Sequence, residues 1–215
     1  MLGSNKIILI TLFTALSAVG AFIKIPIPYI PITMQTFFIL LAGVLLGGKC
    51  GALSVLCYIL LGLIGVPVFA EGGGLTYVFK PTFGYLIGFV IAAFAVGIIV
   101  NRTRYPSYKR ILFSSFLGLL ILYTIGLVYY WLIYTYYIGT GIAFKTLMLY
   151  CFVLTIPGDI ALSFCVAFLG YRLIPILRKQ NIPIAKKVTR RNGADKAEAK
   201  TGDVKKAEIH KSLNN

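Results

Sequence analysis

Histidine and acid are what this chain lacks. Its one histidine, His210, lies in a polar C-terminal stretch, and only two acids, Glu71 and Asp159, precede that stretch. So small a set holds no paired carboxylates beside a general base, no HExxH, and no Ser or Cys with a credible base partner, which excludes the usual catalytic constellations. A GxxxxGK[ST] phosphate cradle is also missing, since GGKCG at 47–51 has neither its spacing nor its context. The four cysteines, Cys50, Cys57, Cys151 and Cys165, fall in apolar segments without CxxC or metal-ligand spacing. They point to neither a disulfide framework nor a metal site, and read as small core residues. No cofactor is expected. Charge is scarce as well: 13% of residues are charged against 59% hydrophobic, and the mean hydropathy is +0.89. That balance excludes an ordinary soluble domain and places the chain among polytopic membrane proteins.

What is present is a series of apolar segments. The 215 residues have room for six spans of about 20 residues each, and segments fall at 7–23, 33–47, 50–65, 85–100, 111–137 and 146–174. The expected fold is an all-α membrane protein, a six-helix transmembrane domain over 1–177 followed by a basic, disordered tail over 178–215. The first segment has no small-residue cleavage site behind it and is expected to be a retained helix. It carries small residues at helical spacing, Thr11 with Ala15, Thr14 with Ala18 and Ser17 with Ala21. Such faces allow close helix approach in lipid, either within the chain or against a partner subunit. The second and third segments are short, which implies tilt or a thinned bilayer. The cluster of Tyr129, Tyr130, Trp131, Tyr134, Tyr136 and Tyr137 suits a membrane-water interface.

Charge placement gives a topology. The net charge is +15, and from Arg172 onward twelve Lys/Arg face four Asp/Glu. A basic juxtamembrane tail is explained by the cytoplasmic leaflet of a cell membrane, so nucleic acid is not an expected partner and the lipid bilayer is. With an even number of spans and cytoplasmic termini, Lys6, Lys49 and the four basic residues of 102–110 lie inside. Only Lys24, Lys80 and Lys145 lie outside.

Two stretches resist regular structure. The prolines of KIPIPYIP at 24–31 cannot continue a helix and predict an extended or re-entrant turn, with the second helix beginning at Thr33. From Gly65 to Gly88 the chain reads GVPVFAEGGGLTYVFKPTFGYLIG, with three consecutive glycines, two prolines and a Glu/Lys pair. Non-helical backbone at membrane depth is tolerated where it is buried in protein or lines a cavity, so this stretch predicts the lid or wall of a site. Asp159 lies well inside the last segment, where a charge at the bilayer centre costs about 2.5–3.5 kcal/mol. It either contacts a ligand or caps the helix that restarts after Pro157 and Gly158.

Four blocks occur in order: PITMQTFF (31–38), LGLIGVPVFAEGGG (61–74), PTFGYLIGF (81–89) and PGD (157–159). Together they resemble the BioY family, the biotin-specific substrate-binding (S) components of energy-coupling factor (ECF) transporters. The resemblance implies a protein that captures biotin outside the cell. It would dock on a transmembrane, EcfT-like coupling subunit that carries two ATPase subunits. The Thr11, Ala15 and Ala18 face occupies the region through which S components contact the coupling subunit.

Biotin's fused ureido bicycle needs an apolar, aromatic-walled slot and a few polar partners. Phe69, Tyr77, Phe79 and Tyr85 would form the wall, and Gly72, Gly73 and Gly74 would let backbone approach the ligand. Asp159 would accept from ureido N–H groups, assisted by Gln35 or Thr82, with Lys80 or Lys24 meeting the valerate carboxylate.

The chain departs from the family pattern where PTGGY becomes PTFGY, at Phe83, and where Leu162 replaces a lysine three residues after the PGD aspartate. Both changes allow a different small vitamin or carboxylate as the ligand. A further alternative is a membrane scaffold acting through its basic tail.

Overall fold

The computed structural model describes residues 4–25, 31–103, 105–139, 153 and 155–179. The prolines at 26 and 28, Lys145, Cys151, the first part of the sixth apolar segment and the tail beyond 179, with His210, lie outside the described residues.

Six helices carry the described fold: α1 (Ser4–Phe22), α2 (Gln35–Leu46), α3 (Gly48–Leu63), α4 (Phe83–Val100), α5 (Tyr108–Leu132) and α6 (Ile156–Lys179). A π-helical turn, Ile133–Ile138, continues α5. Of these, α1, α4, α6 and the joined Tyr108–Ile138 helix are long and apolar enough to cross a membrane. α2 and α3, with 12 and 16 residues, reach only about 18 and 24 Å at 1.5 Å per residue, short of a hydrocarbon core of about 30 Å.

α2 is short because it is the axis of the bundle. It packs against α1, α3, α4 and α6, and every residue of it except Phe37 and Phe38 is buried. Small residues permit the close crossings. A Cβ on Gly43 would lie 2.6 Å from the Ala93 carbonyl oxygen, and one on Gly97 would lie 2.2 Å from the Gly48 nitrogen. α4 therefore rests backbone to backbone on the turn between α2 and α3, a turn that Gly47 makes with φ of 83°.

The first helix has two unlike faces. Thr14, Ser17, Gly20 and Ala21 are buried, and the Thr14 hydroxyl bonds the Ser54 carbonyl of α3 at 2.9 Å. Thr11 and Ala15 are exposed and Ala18 is half-buried. The inner face serves intrachain packing, which leaves Thr11 and Ala15 on the outer one. Cys50 and Cys57 are half-buried and pack against the core, whereas Cys165 is exposed, which corrects the core expectation for that one residue: the lipid side is as apolar as the core and accepts a thiol equally well.

The irregular stretches form a layer over one end of the bundle. Lys24–Ile25 (β1) pairs antiparallel with Ile32–Thr33 (β2), so Thr33 belongs to a strand and α2 begins at Gln35. In the central stretch, Phe69 and Gly72 bridge each other, and Leu75–Phe79 forms one 3-10 helix. Gly72 and Gly74 adopt φ of 111° and 105°, left-handed backbone that disfavours any side chain. Two contacts tie this layer to α5 and its π-helical continuation. The Tyr129 hydroxyl donates to the Val78 carbonyl at 2.5 Å, and Phe79 stacks on Tyr137 with ring centroids 5.1 Å apart.

The aromatic cluster divides accordingly. Tyr130 is buried and stacks on Tyr134 at 5.2 Å, while Tyr136 and Tyr137 face outward.

Candidate ligand-binding site

Beneath the irregular layer lies a cavity of about 70 Å³, several times the roughly 10–15 Å³ that admits one water. Its floor and walls come from the N-terminal turns of α2, α4 and α6 and from the second half of α5, and residues 31–33, 70–71 and 77 roof it. Non-helical backbone is thus placed against protein and cavity, where its polar groups can be satisfied.

Asp159 is the buried charge of the site, 5% exposed in the first turn of α6. α6 starts at Ile156, so Pro157, Gly158 and Asp159 open the described helix. Proline is tolerated in a first turn because its missing N–H has no intrahelical partner there. The Asp159 carboxylate accepts from the Tyr123 hydroxyl at 2.5 Å, and Thr36 also meets it. Tyr123 oxygen is 2.9 Å from Thr155 Oγ1. A phenol has one proton, and since Tyr123 gives it to the carboxylate, Thr155 is the donor in that second bond. No Lys or Arg pairs with Asp159 among the described residues. The site therefore offers a buried carboxylate oriented by hydroxyls, with acceptor capacity left for N–H groups of a ligand.

Gln35 enters the same cavity, 3% exposed; its side chain faces the Tyr58 hydroxyl, but its Nε2 makes no well-formed hydrogen bond among the described residues. A buried donor without a partner costs about 1–3 kcal/mol, which a ligand acceptor would recover.

Above these groups Tyr77 forms wall and roof. Burial raises the pKa of its phenol, the Glu71 charge adds to that, and the Thr82 contact at 3.4 Å offsets part of it. At neutral pH Tyr77 is therefore a neutral donor. At the rim, Lys80 Nζ lies 3.3 Å from Glu71 Oε2 and 5.0 Å from the Tyr77 ring centroid, and Lys24 Nζ donates to the Ala70 carbonyl.

Of the residues singled out from sequence, Gln35, Tyr77, Thr82, Tyr85 and Asp159 line this one cavity. Lys80 stands at its rim. Phe69 is 1% exposed and packs behind the wall, between Tyr58 and Tyr77 at centroid distances of 5.5 and 4.5 Å.

The glycine run packs against the end of α3: Gly74 nitrogen donates to Gly62 oxygen at 2.7 Å, and a Cβ on Gly73 would lie 2.4 Å from Val66 oxygen. Phe83 is buried against Tyr129, its ring 6.0 Å away, off the cavity lining. Phe79 is exposed on the outer side.

Thr36, Ala70, Glu71, Tyr123 and Thr155 line the cavity and were not singled out. Thr155 lies one helical turn before Asp159, a spacing that could have found it, whereas Thr36, adjacent to Gln35 on α2, carries no such signal. Tyr123 shows only as a hydroxyl within an apolar segment.

A model of the BioY family matches residues 2–179. The chain belongs to the BioY family. Among its curated relatives, the probable biotin transporter BioY of Lysinibacillus sphaericus is 42% identical over 173 residues, 80% of this chain and 88% of that protein. The biotin transporter BioY of Thermotoga maritima is 44% identical over 116 residues, 54% of this chain and 68% of its own length. The crystal structure of the S-component for biotin from an ECF-type ABC transporter shares the fold. Its TM-score is 0.70 at 27% identity, over 84% of this chain and 95% of the other. The chain is thus a multi-pass membrane protein.

Proposed function

We propose that this protein is the substrate-capturing subunit of an ATP-driven ECF importer and that its ligand is biotin. The observation that carries the reading is the cavity in which Asp159 and Gln35, both buried, converge below aromatic walls, in a chain of the BioY family. Such a subunit binds and delivers its ligand without changing it, and ATP hydrolysis belongs to other polypeptides.

In this reading the ureido ring lies deepest. Its N–H groups donate to Asp159, and its carbonyl accepts from Gln35 Nε2 or the Tyr77 or Thr82 hydroxyl. Tyr85, Leu86, Phe89 and Leu122 bury the thiophane ring and valerate chain. The carboxylate exits at the rim toward Lys80. Phe69 and Gly72 to Gly74 act indirectly, by holding Tyr77 and the 70–71 segment in place.

The helices form six membrane passes, α2 and α3 included, with both termini cytoplasmic and the irregular layer outside. Basic residues support that orientation, because Lys49, Arg102, Lys109 and Arg110 lie by the α2–α3 turn, the C-terminal end of α4 and the start of α5, away from the cavity. Delivery requires an EcfT-like coupling subunit with two ATPase subunits, docked on the outer face of α1 that carries Thr11, Ala15 and Ala18.

Titration of the purified protein in nanodiscs with biotin, followed by calorimetry, tests the ligand. Saturable binding with Kd in the nanomolar range, about −12 kcal/mol, is expected, and absence of saturable binding overturns the assignment. Competition by a panel of vitamins and small carboxylates in the same cell separates biotin from a related ligand.

A further inference from the structure

The described residues contain two carboxylates, and both line the cavity. Asp159 is sealed among hydroxyls, but Glu71 stands at the rim with its side chain 41% exposed. Its partner is Lys80, whose ammonium lies 3.3 Å from Glu71 Oε2 and 3.1 Å from the Glu71 carbonyl oxygen. The same ammonium sits 5.0 Å from the centroid of Tyr77, a ring of the cavity wall. From the other side of the rim Lys24 donates to the carbonyl of Ala70, the preceding residue. Both rim cations are thus turned toward the 70–71 segment, and the anion on Lys80 is supplied by the chain itself.

We propose that Glu71 is a displaceable counter-ion. It holds Lys80 across the mouth of the empty site and yields it to the carboxylate of the bound ligand. The proposal rests on the biotin reading above and adds to it a residue that sets affinity and release.

Glu71 and the ligand carboxylate compete for one cation, Lys80. Glu71 and Lys80 are both more than a third exposed, so separating them costs little and the freed carboxylate is solvated in place. The displaced Glu71 then lies beside a second carboxylate, and that repulsion favours its return as the ligand leaves. Glu71 thereby weakens binding of an anionic ligand and speeds its release. A neutral ligand does not contest Lys80 and is indifferent to Glu71. A subunit that must hand its ligand on benefits from that bias.

The test compares biotin with biotin amide, in which a neutral amide replaces the carboxylate, on the full-length protein in nanodiscs. Glu71→Gln keeps the side chain's size and removes its charge. It is expected to tighten biotin about two- to fivefold, the range of an exposed ion pair, and to leave biotin amide unchanged. In a Lys80→Met background no cation is contested and only the direct repulsion between the two carboxylates is left, so the same substitution is expected to tighten biotin less than it does with Lys80 present; equal tightening in both backgrounds overturns the counter-ion role.

Weaker biotin binding by Glu71→Gln overturns the proposal while leaving the biotin assignment intact. Equal tightening of both ligands does the same, because it would mean a generally loosened rim. Failure of the unaltered protein to bind either ligand overturns the assignment, and the proposal with it.

Discussion

Asp159→Ala separates binding from stability in this protein. The carboxylate is 5% exposed, accepts from Tyr123, and pairs with no cation among the described residues. Such a charge is costly to bury, which offsets the acceptor lost to the Tyr123 and Thr36 hydroxyls, so its removal from the ligand-free protein is expected to shift the melting temperature little. Binding should move the other way. A hydrogen bond to a charged acceptor contributes about 1.5–3 kcal/mol, which at 1.4 kcal/mol per decade is a loss of about 10- to 150-fold in biotin affinity.

Tyr123→Phe provides the graded control. It leaves Asp159 in place but takes away the donor that orients it and the acceptor of the Thr155 hydroxyl. An effect of about 0.5–1.5 kcal/mol predicts a Kd increase of about two- to tenfold. Calorimetry gives affinity, and differential scanning of the ligand-free protein gives stability. If Asp159→Ala binds biotin within twofold of the unaltered protein, the carboxylate does not touch the ligand. A large drop in melting temperature together with lost binding would instead make Asp159 a structural residue.

Three further outcomes follow from the packing. Gly62→Ala places a Cβ 2.0 Å from the Phe69 ring; overpacking of about 1–3 kcal/mol should lower thermal stability and push Tyr77 into the cavity, weakening biotin, and an unchanged melting curve would refute the packing argument. Tyr129→Phe removes the hydroxyl bonded to Val78 and loosens the roof; about 0.5–1.5 kcal/mol gives a ligand off-rate raised about two- to tenfold in stopped-flow, and an unchanged off-rate would show that this tie does not hold the roof closed. Deletion of residues 182–215 is expected to leave biotin uptake by cells intact, whereas loss of uptake with the protein still in the membrane would make the tail a working part.

The chain's own letters carried much of the outline. Uninterrupted apolar segments separated by Pro, Gly and basic loops are the signature of membrane helices, since only a helix satisfies its backbone within one segment. The irregularity of 65–88 was equally plain, because glycine runs and prolines specify backbone locally. An acid in an apolar segment marked Asp159 by its cost alone. The ordered blocks at 31–38, 61–74, 81–89 and 157–159 carried the family.

Which face of each helix looks inward was decided only in three dimensions. In a soluble protein hydrophobic periodicity marks the core side, but here lipid and core are both apolar, so the pattern that separates them is faint. Nothing local told the inner Thr14 and Ser17 from the outer Thr11 and Ala15. Nor did anything local show that Phe83 turns to Tyr129 while Tyr85, two residues on, turns to the cavity.

The tertiary structure alone brought Thr36 of α2 and Tyr123 of α5 to the Asp159 carboxylate, with Thr155 behind Tyr123, and set Glu71 against Lys80 at the cavity mouth. Segments determine that a chain enters the membrane and where it cannot stay helical. The meeting of distant side chains depends on how those segments pack, which no single segment contains.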